Sequence, residues 1–185
     1  MRKNFGAKAL LFPMPVLIIG TYDKDGNPDA MNAAWGGIAD DTKISICLSP
    51  THKTVENLKE RGAFTVSVAD KKHVVECDYV GIVSGYKVSD KFSKAGFHAV
   101  KSQNVDAPLI EELPFALECK VISYDEKTCC LLGEIVNVCA DESILSDGKI
   151  DIEKLQPITY NPSVHTYHVI GQKVGNAFSD GKKIS

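Results

Sequence analysis

The sequence predicts a mainly β fold, a barrel of antiparallel strands with short peripheral helices, on three observations. Apolar and polar residues alternate with period two through Ile44 to Leu48, Ala63 to Val68 and Phe115 to Val121. Turn signals at Asp25-Gly26 and Asp125-Glu126-Lys127 join successive segments as hairpins. The helical stretches are short and fall between hairpins instead of alternating with strands, which disfavours a doubly wound sheet. With 185 residues, 44% of them hydrophobic and 24% charged, residues 1–185 are expected to form a single domain large enough for a real core.

The first element is the run Pro15-Val16-Leu17-Ile18-Ile19-Gly20-Thr21-Tyr22, whose apolar, β-branched character reads as a buried strand. Asp25-Gly26 turns the chain, and the segment resuming at Pro28 runs into Asn32-Ala33-Ala34-Trp35-Gly36-Gly37. Ile44, Ile46 and Leu48, alternating with Ser45, Cys47 and Ser49, make a half-buried strand leading into Ser49-Pro50-Thr51-His52-Lys53-Thr54. Ser49 is a favoured N-cap and Pro50 fits the first helical position, so a helix carrying Val55 and Leu58 is predicted to start there. Ala63 to Val68 reads as the next strand, and Asp70 as the cap of a helix around Lys72 to Val80. From about residue 70 to 112 the chain makes a long excursion, largely without sheet or helix periodicity. Such sections are either functional and partner-facing or simply packed on the barrel. Strand patterning returns with Phe115, Leu117, Cys119 and Val121 on one face and Ala116, Glu118 and Lys120 on the other. Leu131 to Ala140 pairs with that strand, Asp147-Gly148 marks a further turn, and His165 to Ile170 holds the last strand. The tail from Asn176 is polar apart from Phe178 and Ile184.

Composition excludes several classes. A formal charge of −3, with no Lys/Arg cluster longer than a pair, removes the electrostatic basis for nucleic-acid binding. Pro13 and Pro15 interrupt the apolar run that follows Arg2 and Lys3, so a signal peptide is not expected, and no stretch reaches the roughly 20 apolar residues of a membrane span. A cytoplasmic protein with no membrane partner is the expectation. Cys47, Cys77, Cys119, Cys129, Cys130 and Cys139 show no Cys-x-x-Cys spacing and read as reduced thiols. The adjacent Cys129 and Cys130 would point to opposite faces of a strand, which argues against a redox pair between them. The five histidines stand at no metal-ligand spacing, His165 and His168 facing opposite sides of a strand, and no bound metal is expected.

One constellation points to a ligand. The side chains of Asn32, Ala33, Ala34 and Gly36 are so small that a planar group can lie against the backbone amides, with Trp35 either flanking that group or packed in the core. Asn32, if buried, must satisfy its amide, and a ligand edge is one way to do so. At the predicted helix start, free amides meet the positive end of the helix dipole, and Lys53 with the Thr51 and Thr54 hydroxyls adds charge and donors. A plain cap without a ligand is the alternative. His52 helps an anion only when protonated. A platform beside a phosphate-ready turn suggests a flavin nucleotide site. No Gly-x-Gly-x-x-Gly, P-loop or Gly-x-Ser-x-Gly pattern offers a competing chemistry.

Taken with Gly20-Thr21-Tyr22-Asp23 and with Asp78-Tyr79-x-Gly81-x-x-Ser84-Gly85 followed by Asp90-Lys91-Phe92, these motifs resemble the flavin reductase-like FMN-binding split barrels over nearly the whole chain. Within that family the sequence is most similar to the flavoredoxin branch, and Gly171-Gln172-Lys173-Val174-Gly175-Asn176-Ala177-Phe178 adds to the likeness. The resemblance implies a homodimer of six-stranded antiparallel split barrels of Greek-key type, each holding FMN. It places the flavin ring against Ala33-Ala34-Trp35 and the phosphate near Ser49 to Thr54, and it brings Lys91 to the FMN, in its own or the partner's site. Some relatives carry an arginine where Ser49 stands, so the phosphate charge here falls to Lys53 or Lys91. On residue type alone Lys91, beside Asp90 in a loop, reads as solvated.

No side-chain catalytic residue is expected, because in such proteins the flavin carries the chemistry. The first functional reading is an oxidoreductase passing electrons from NAD(P)H through FMN to a flavin, a ferric complex or a protein acceptor. A flavoredoxin-type electron carrier that does not use nicotinamide directly is the second. A split barrel that binds a ligand without redox chemistry is the third.

Overall fold

The structure is a computed structural model that describes residues 1–184. Its strands are β1 (Met14–Pro15), β2 (Leu17–Tyr22), β3 (Pro28–Ala33), β4 (Gly36–Asp40), β5 (Lys43–Cys47), β6 (Ala63–Val68), β7 (Ala99–Lys101), β8 (Pro108–Ile110), β9 (Phe115–Asp125), β10 (Cys130–Ala140), β11 (Leu145–Ser146), β12 (Lys149–Ile150), β13 (Ile158–Asn161) and β14 (Thr166–Val169). The helices are α1 (Lys53–Arg61), α2 (Val74–Ile82), α3 (Lys91–Lys94) and α4 (Ile152–Leu155), with 3₁₀ turns at Glu142–Ile144 and Asp180–Ile184.

The principal sheet runs β3-β2-β6-β9-β10-β5-β4, antiparallel throughout. Its two terminal strands are consecutive in sequence, separated only by Ala34 and Trp35, so the sheet curls until its ends meet. The predicted six-stranded barrel therefore appears as seven ladder segments, because one strand is split at this dipeptide. The β5 to β6 connection joins strands that are not neighbours, and it crosses the barrel end through α1, a Greek-key step.

Alternation along β2 explains why a barrel forms and what covers it. Leu17 and Ile19 point inward with Ile44, Ile46, Phe64, Val66 and Leu131, and Val55 and Leu58 of α1 close that core. Val16 and Ile18 point outward, where they pack with Cys77, Val80, Phe92, Phe97 and Ile110 of the excursion. The excursion is thus the second half of a two-layered core, carrying α2, which the sequence predicted, together with α3 and the β7–β8 hairpin, which it did not reveal. β2 reads as one unbroken apolar run because both its faces are buried.

Two predicted helix starts move. α1 begins at Lys53 with His52 as cap, because the His52 amide folds back on the Ser49 carbonyl at 3.1 Å and the Ser49 hydroxyl bonds Thr51 at 2.9 Å. Ser49-Pro50-Thr51 is a separate turn ahead of the helix. α2 begins at Val74, while Asp70 accepts from the His73 amide at 2.8 Å one turn earlier. His165 lies in the β13–β14 turn with φ 57° instead of in the last strand.

Glu118, on the strand face with Ala116 and Lys120, is 2% exposed because the chain between β7 and β8 covers it. Burial alone would raise its pKa, but Ser102, Asn137 and Asn104 donate to the carboxylate, Asn104 at 2.8 Å, and hold it below the usual range. A depressed pKa stabilises the fold above the unfolded value of roughly 4.3, and that contribution is lost as pH falls through the folded value. Glu118→Gln is expected to cost about 2 kcal/mol at neutral pH and less as pH falls below 4, read from urea unfolding of both proteins across pH.

Candidate functional site

Five segments converge on Asn32, which sits one residue from the split strand. Its amide donates to the Cys77 carbonyl of α2 at 3.1 Å, so the platform is tied to the excursion by the group that also lines the site. Two cavities open on either side of it. The first, of about 220 Å³, is lined by Asn32, His52, Lys53, Thr54, the Val80–Gly85 loop and Lys91. The second, of about 350 Å³, is lined by Asn32, Ala34, Asp78, Gly81, Tyr160, His165 and Tyr167. They share Asn32, Gly81 and Ile82, so together they form one elongated, two-part recess.

Close approach of the Gly81–Gly85 loop depends on its glycines. A Cβ on Gly81 would lie 2.9 Å from the Asn32 Cβ, and one on Gly85 would lie 3.0 Å from the Lys53 Cδ and 3.1 Å from an Asp29 carboxylate oxygen. No side chain fits at the first position without displacing the platform.

The first part of the recess contains two lysines in different situations. Lys91 is buried, its ammonium 3.3 Å from Asp29 and within reach of the Val80 and Val83 carbonyls. It therefore ties α2 and its loop to β3, and its charge is spent inside the protein. The expectation of a solvated lysine gives way to a buried one at the recess wall. Lys53 pairs with Asp23, at 3.5 Å, and keeps 15% of its side chain exposed. Among the described residues, the Lys53 and Thr54 amides have no hydrogen-bond acceptor, as the start of a helix leaves them. Burial raises the Asp29 pKa, with Lys91 and Lys53 opposing the shift, and its second oxygen is buried with no hydrogen-bond partner. Partial burial of the His52 ring, then the Lys91 charge, lower the His52 pKa, so it adds no cation at neutral pH.

The second part is aromatic and polar. Tyr167 donates to Asp78 at 2.7 Å, and burial first, then Asp78, push its pKa well above the ordinary value. The Tyr160 hydroxyl meets His165 Nδ1 at 2.6 Å, and the two tyrosine rings lie 5.9 Å apart. Asp78 belongs to the Asp78-Tyr79-x-Gly81 motif and comes from α2, whereas Tyr160, His165 and Tyr167 were not assigned to the site from the sequence. The β13–β14 hairpin delivers these three from more than 120 residues beyond Asn32, without a local signal.

A third and larger cavity, of about 690 Å³, lies across the Ala34-Trp35 dipeptide and is mostly apolar, with Leu10, Leu11, Trp35, Cys47 and Cys130 in its wall. The charged and polar groups gather at the two-part recess instead, and that recess is the candidate site. Trp35 is 56% exposed, which overturns its reading as a core aromatic within the chain. Asn32, Ala34, His52, Lys53, Thr54 and Lys91 line the two-part recess, and Trp35 and Gly36 line the apolar cavity. Ala33 is buried beneath the platform, while Ser49 and Thr51 bond each other at the rim. Elsewhere, ligand atoms of His98, Glu111 and Glu112 come within 4.8 Å of one another, a grouping that sequence spacing did not suggest. The cluster is largely exposed, and His98 and Glu112 already pair at 2.5 Å.

The arrangement suits an elongated ligand: Lys53, Thr54 and free amides at one end for an anion, and a small-residue platform under a planar group at the other end. Comparison with known proteins is consistent with this geometry. The model of the flavin reductase like domain family matches residues 9–164. Flavoredoxin of Desulfovibrio vulgaris (Miyazaki F) is 40% identical, with a TM-score of 0.94 over 98% of this chain and 100% of that one. Flavoredoxin from Methanosarcina acetivorans is 27% identical, with a TM-score of 0.90 over the whole of both chains. An uncharacterized protein of Aeropyrum pernix is 28% identical over 85% of this chain, which spans 62% of that relative's length.

Proposed function

The chain belongs to the flavin reductase like domain family, and on that premise we propose that it binds FMN along the two-part recess and passes electrons from NAD(P)H to a flavin, a ferric complex or a protein acceptor. The observation that carries the reading is the recess itself, cationic and amide-rich at one end and aromatic at the other, with Asn32 at the junction. When bound, FMN supplies the hydride and electron chemistry, and the protein contributes position, electrostatics and shielding.

Lys53, with the Lys53 and Thr54 amides and the Thr54 hydroxyl, would hold the phosphate. Lys91 holds the loop in place and carries no phosphate charge. The platform around Ala34 would support the ring, and the Asp78–Tyr167 bond fixes the aromatic wall beside it. Exposed Trp35, Ile38, Val136 and Val138 on the barrel, with Leu11 and Phe12 before β1, support a homodimer as the working assembly. No helix among the described residues is long and apolar enough to cross a membrane. A cytoplasmic setting suits the six free thiols.

Anaerobic titration of the FMN-loaded protein with NADH and with NADPH tests the reductase reading. Loss of the oxidised-flavin absorbance on adding one of them is the expected result. A flavin that dithionite bleaches but neither nicotinamide does would favour the second reading, an electron carrier fed by another protein. That reading is supported by the 40% identity to a flavoredoxin.

A further inference from the structure

We propose that Cys47 and Cys130 form a reversible dithiol–disulfide pair on the outer wall of the barrel, beside Trp35. The pairing comes from strand register, since Cys47 of β5 stands directly opposite Cys130 of β10 in an antiparallel ladder. The Cys47 amide donates away from β10, to the Trp35 carbonyl at 2.7 Å, and the next bond across the ladder runs from the Leu48 amide to the Cys129 carbonyl at 2.8 Å. Cys47 and Cys130 are therefore a non-hydrogen-bonded pair, the kind whose Cα atoms approach to about 4.5 Å. That separation falls within the range a disulfide spans, roughly 4.4–6.8 Å.

Direction and exposure agree with register. The preceding residue of β5, Ile46, and the following residue of β10, Leu131, are buried inside the barrel, so both cysteines point outward. Both are exposed, and both line the apolar cavity that also holds Trp35. The remaining thiols are placed differently. Cys77 and Cys119 are buried, and burial pushes each thiol up to about 12. Cys139 points its thiol at the Ala116 carbonyl, 3.6 Å away. Cys129 belongs to the neighbouring hydrogen-bonded pair with Leu48 and has φ 58°.

The oxidant is a hydroperoxide. One thiolate attacks the peroxide oxygen, giving a sulfenic acid and the alcohol or water. The second thiolate attacks that sulfur, forming the S–S bond and releasing water. Two thiols and one peroxide thus yield one disulfide, one alcohol or water molecule, and one water. A small dithiol reverses the step by exchange, becoming oxidised itself. The bond clamps β5 to β10 immediately before the Ser49–Thr51 turn. The inference is independent of the flavin reading.

The test is treatment of the full chain with hydrogen peroxide, followed by thiol blocking and non-reducing peptide mapping. The expected result is an intrachain Cys47–Cys130 cross-linked peptide lighter by two hydrogens, together with the loss of two free thiols per chain. Quenching of the emission of Trp35, the sole tryptophan, is expected alongside it, with a dithiol restoring both signals. Cys47→Ser should abolish the cross-link and Cys129→Ser should leave it, each with an unchanged thermal midpoint. No loss of two thiols, a cross-link through Cys129 or between chains, or an intrachain bond that survives in Cys47→Ser would overturn the proposal.

Discussion

Replacing Lys91 by methionine is expected to lower stability by about 3 kcal/mol at neutral pH, because it leaves Asp29 buried with its charge unpaired. The two side chains are 4% and 5% exposed, so water does not replace the lost partner. The ammonium also donates to the Val80 and Val83 carbonyls, which become unsatisfied in the same step. The deficit has a definite pH dependence. Burial already raises the Asp29 pKa against the pull of Lys91, and removal of Lys91 raises it further. A group with a raised folded pKa adds stability below its unfolded value, and that contribution is lost as pH rises through the folded value. The Lys91→Met deficit should therefore be small near pH 3 and grow as pH rises. Adding Asp29→Asn to Lys91→Met should recover most of the loss, whereas Asp29→Asn alone should destabilise by stranding the lysine. Urea unfolding of the four proteins gives the coupling. Additive effects of the two substitutions would show that the pair does not hold the loop.

The second large effect is on the ligand. Lys53→Ala combined with Thr54→Ala removes the mobile cation and one hydroxyl from the anion end of the recess. Hydrogen bonds to a charged group contribute about 1.5–3 kcal/mol each, so losing two is expected to lower FMN affinity by at least about a hundredfold. Riboflavin, which lacks the phosphate, should bind wild type and variant alike. An equal loss for both ligands would mean that the substitutions deform the platform instead of emptying the phosphate cradle. Thr54 is buried at 2% exposure, so the thermal midpoint of the variant is part of the same experiment.

Much of the barrel was legible because its strands carry local signals: the unbroken apolar run of β2, the alternation of β5, β6 and β9, and the turn around Gly26, whose φ is 84°. The small-residue platform was also visible as Ala33, Ala34, Gly36 and Gly37, since residues that small in a strand invite a close approach, whereas the split of the strand at Ala34-Trp35 was not. What failed were inferences from local rules where distant packing decides. Ser49 and Pro50 satisfy a helix-start pattern, yet the hydroxyl of Ser49 has a nearer partner in Thr51 and the helix waits for Lys53. Lys91 reads as a surface charge, and the burial of Glu118 goes unseen, because nothing in their own segments announces Asp29 or the Ser102, Asn104 and Asn137 donors. Tyr160, Tyr167 and Asp78 reach the site only when the β13–β14 hairpin and α2 pack together, which no spacing within either segment encodes.

The central claim is that one FMN lies across Asn32 with its phosphate at Lys53 and Thr54. Titrating the apoprotein with FMN and with riboflavin, following flavin fluorescence, tests it most directly. The account predicts one FMN per chain, bound roughly a hundredfold more tightly than riboflavin. Equal affinity for the two, or no saturable FMN binding by folded protein, would contradict it.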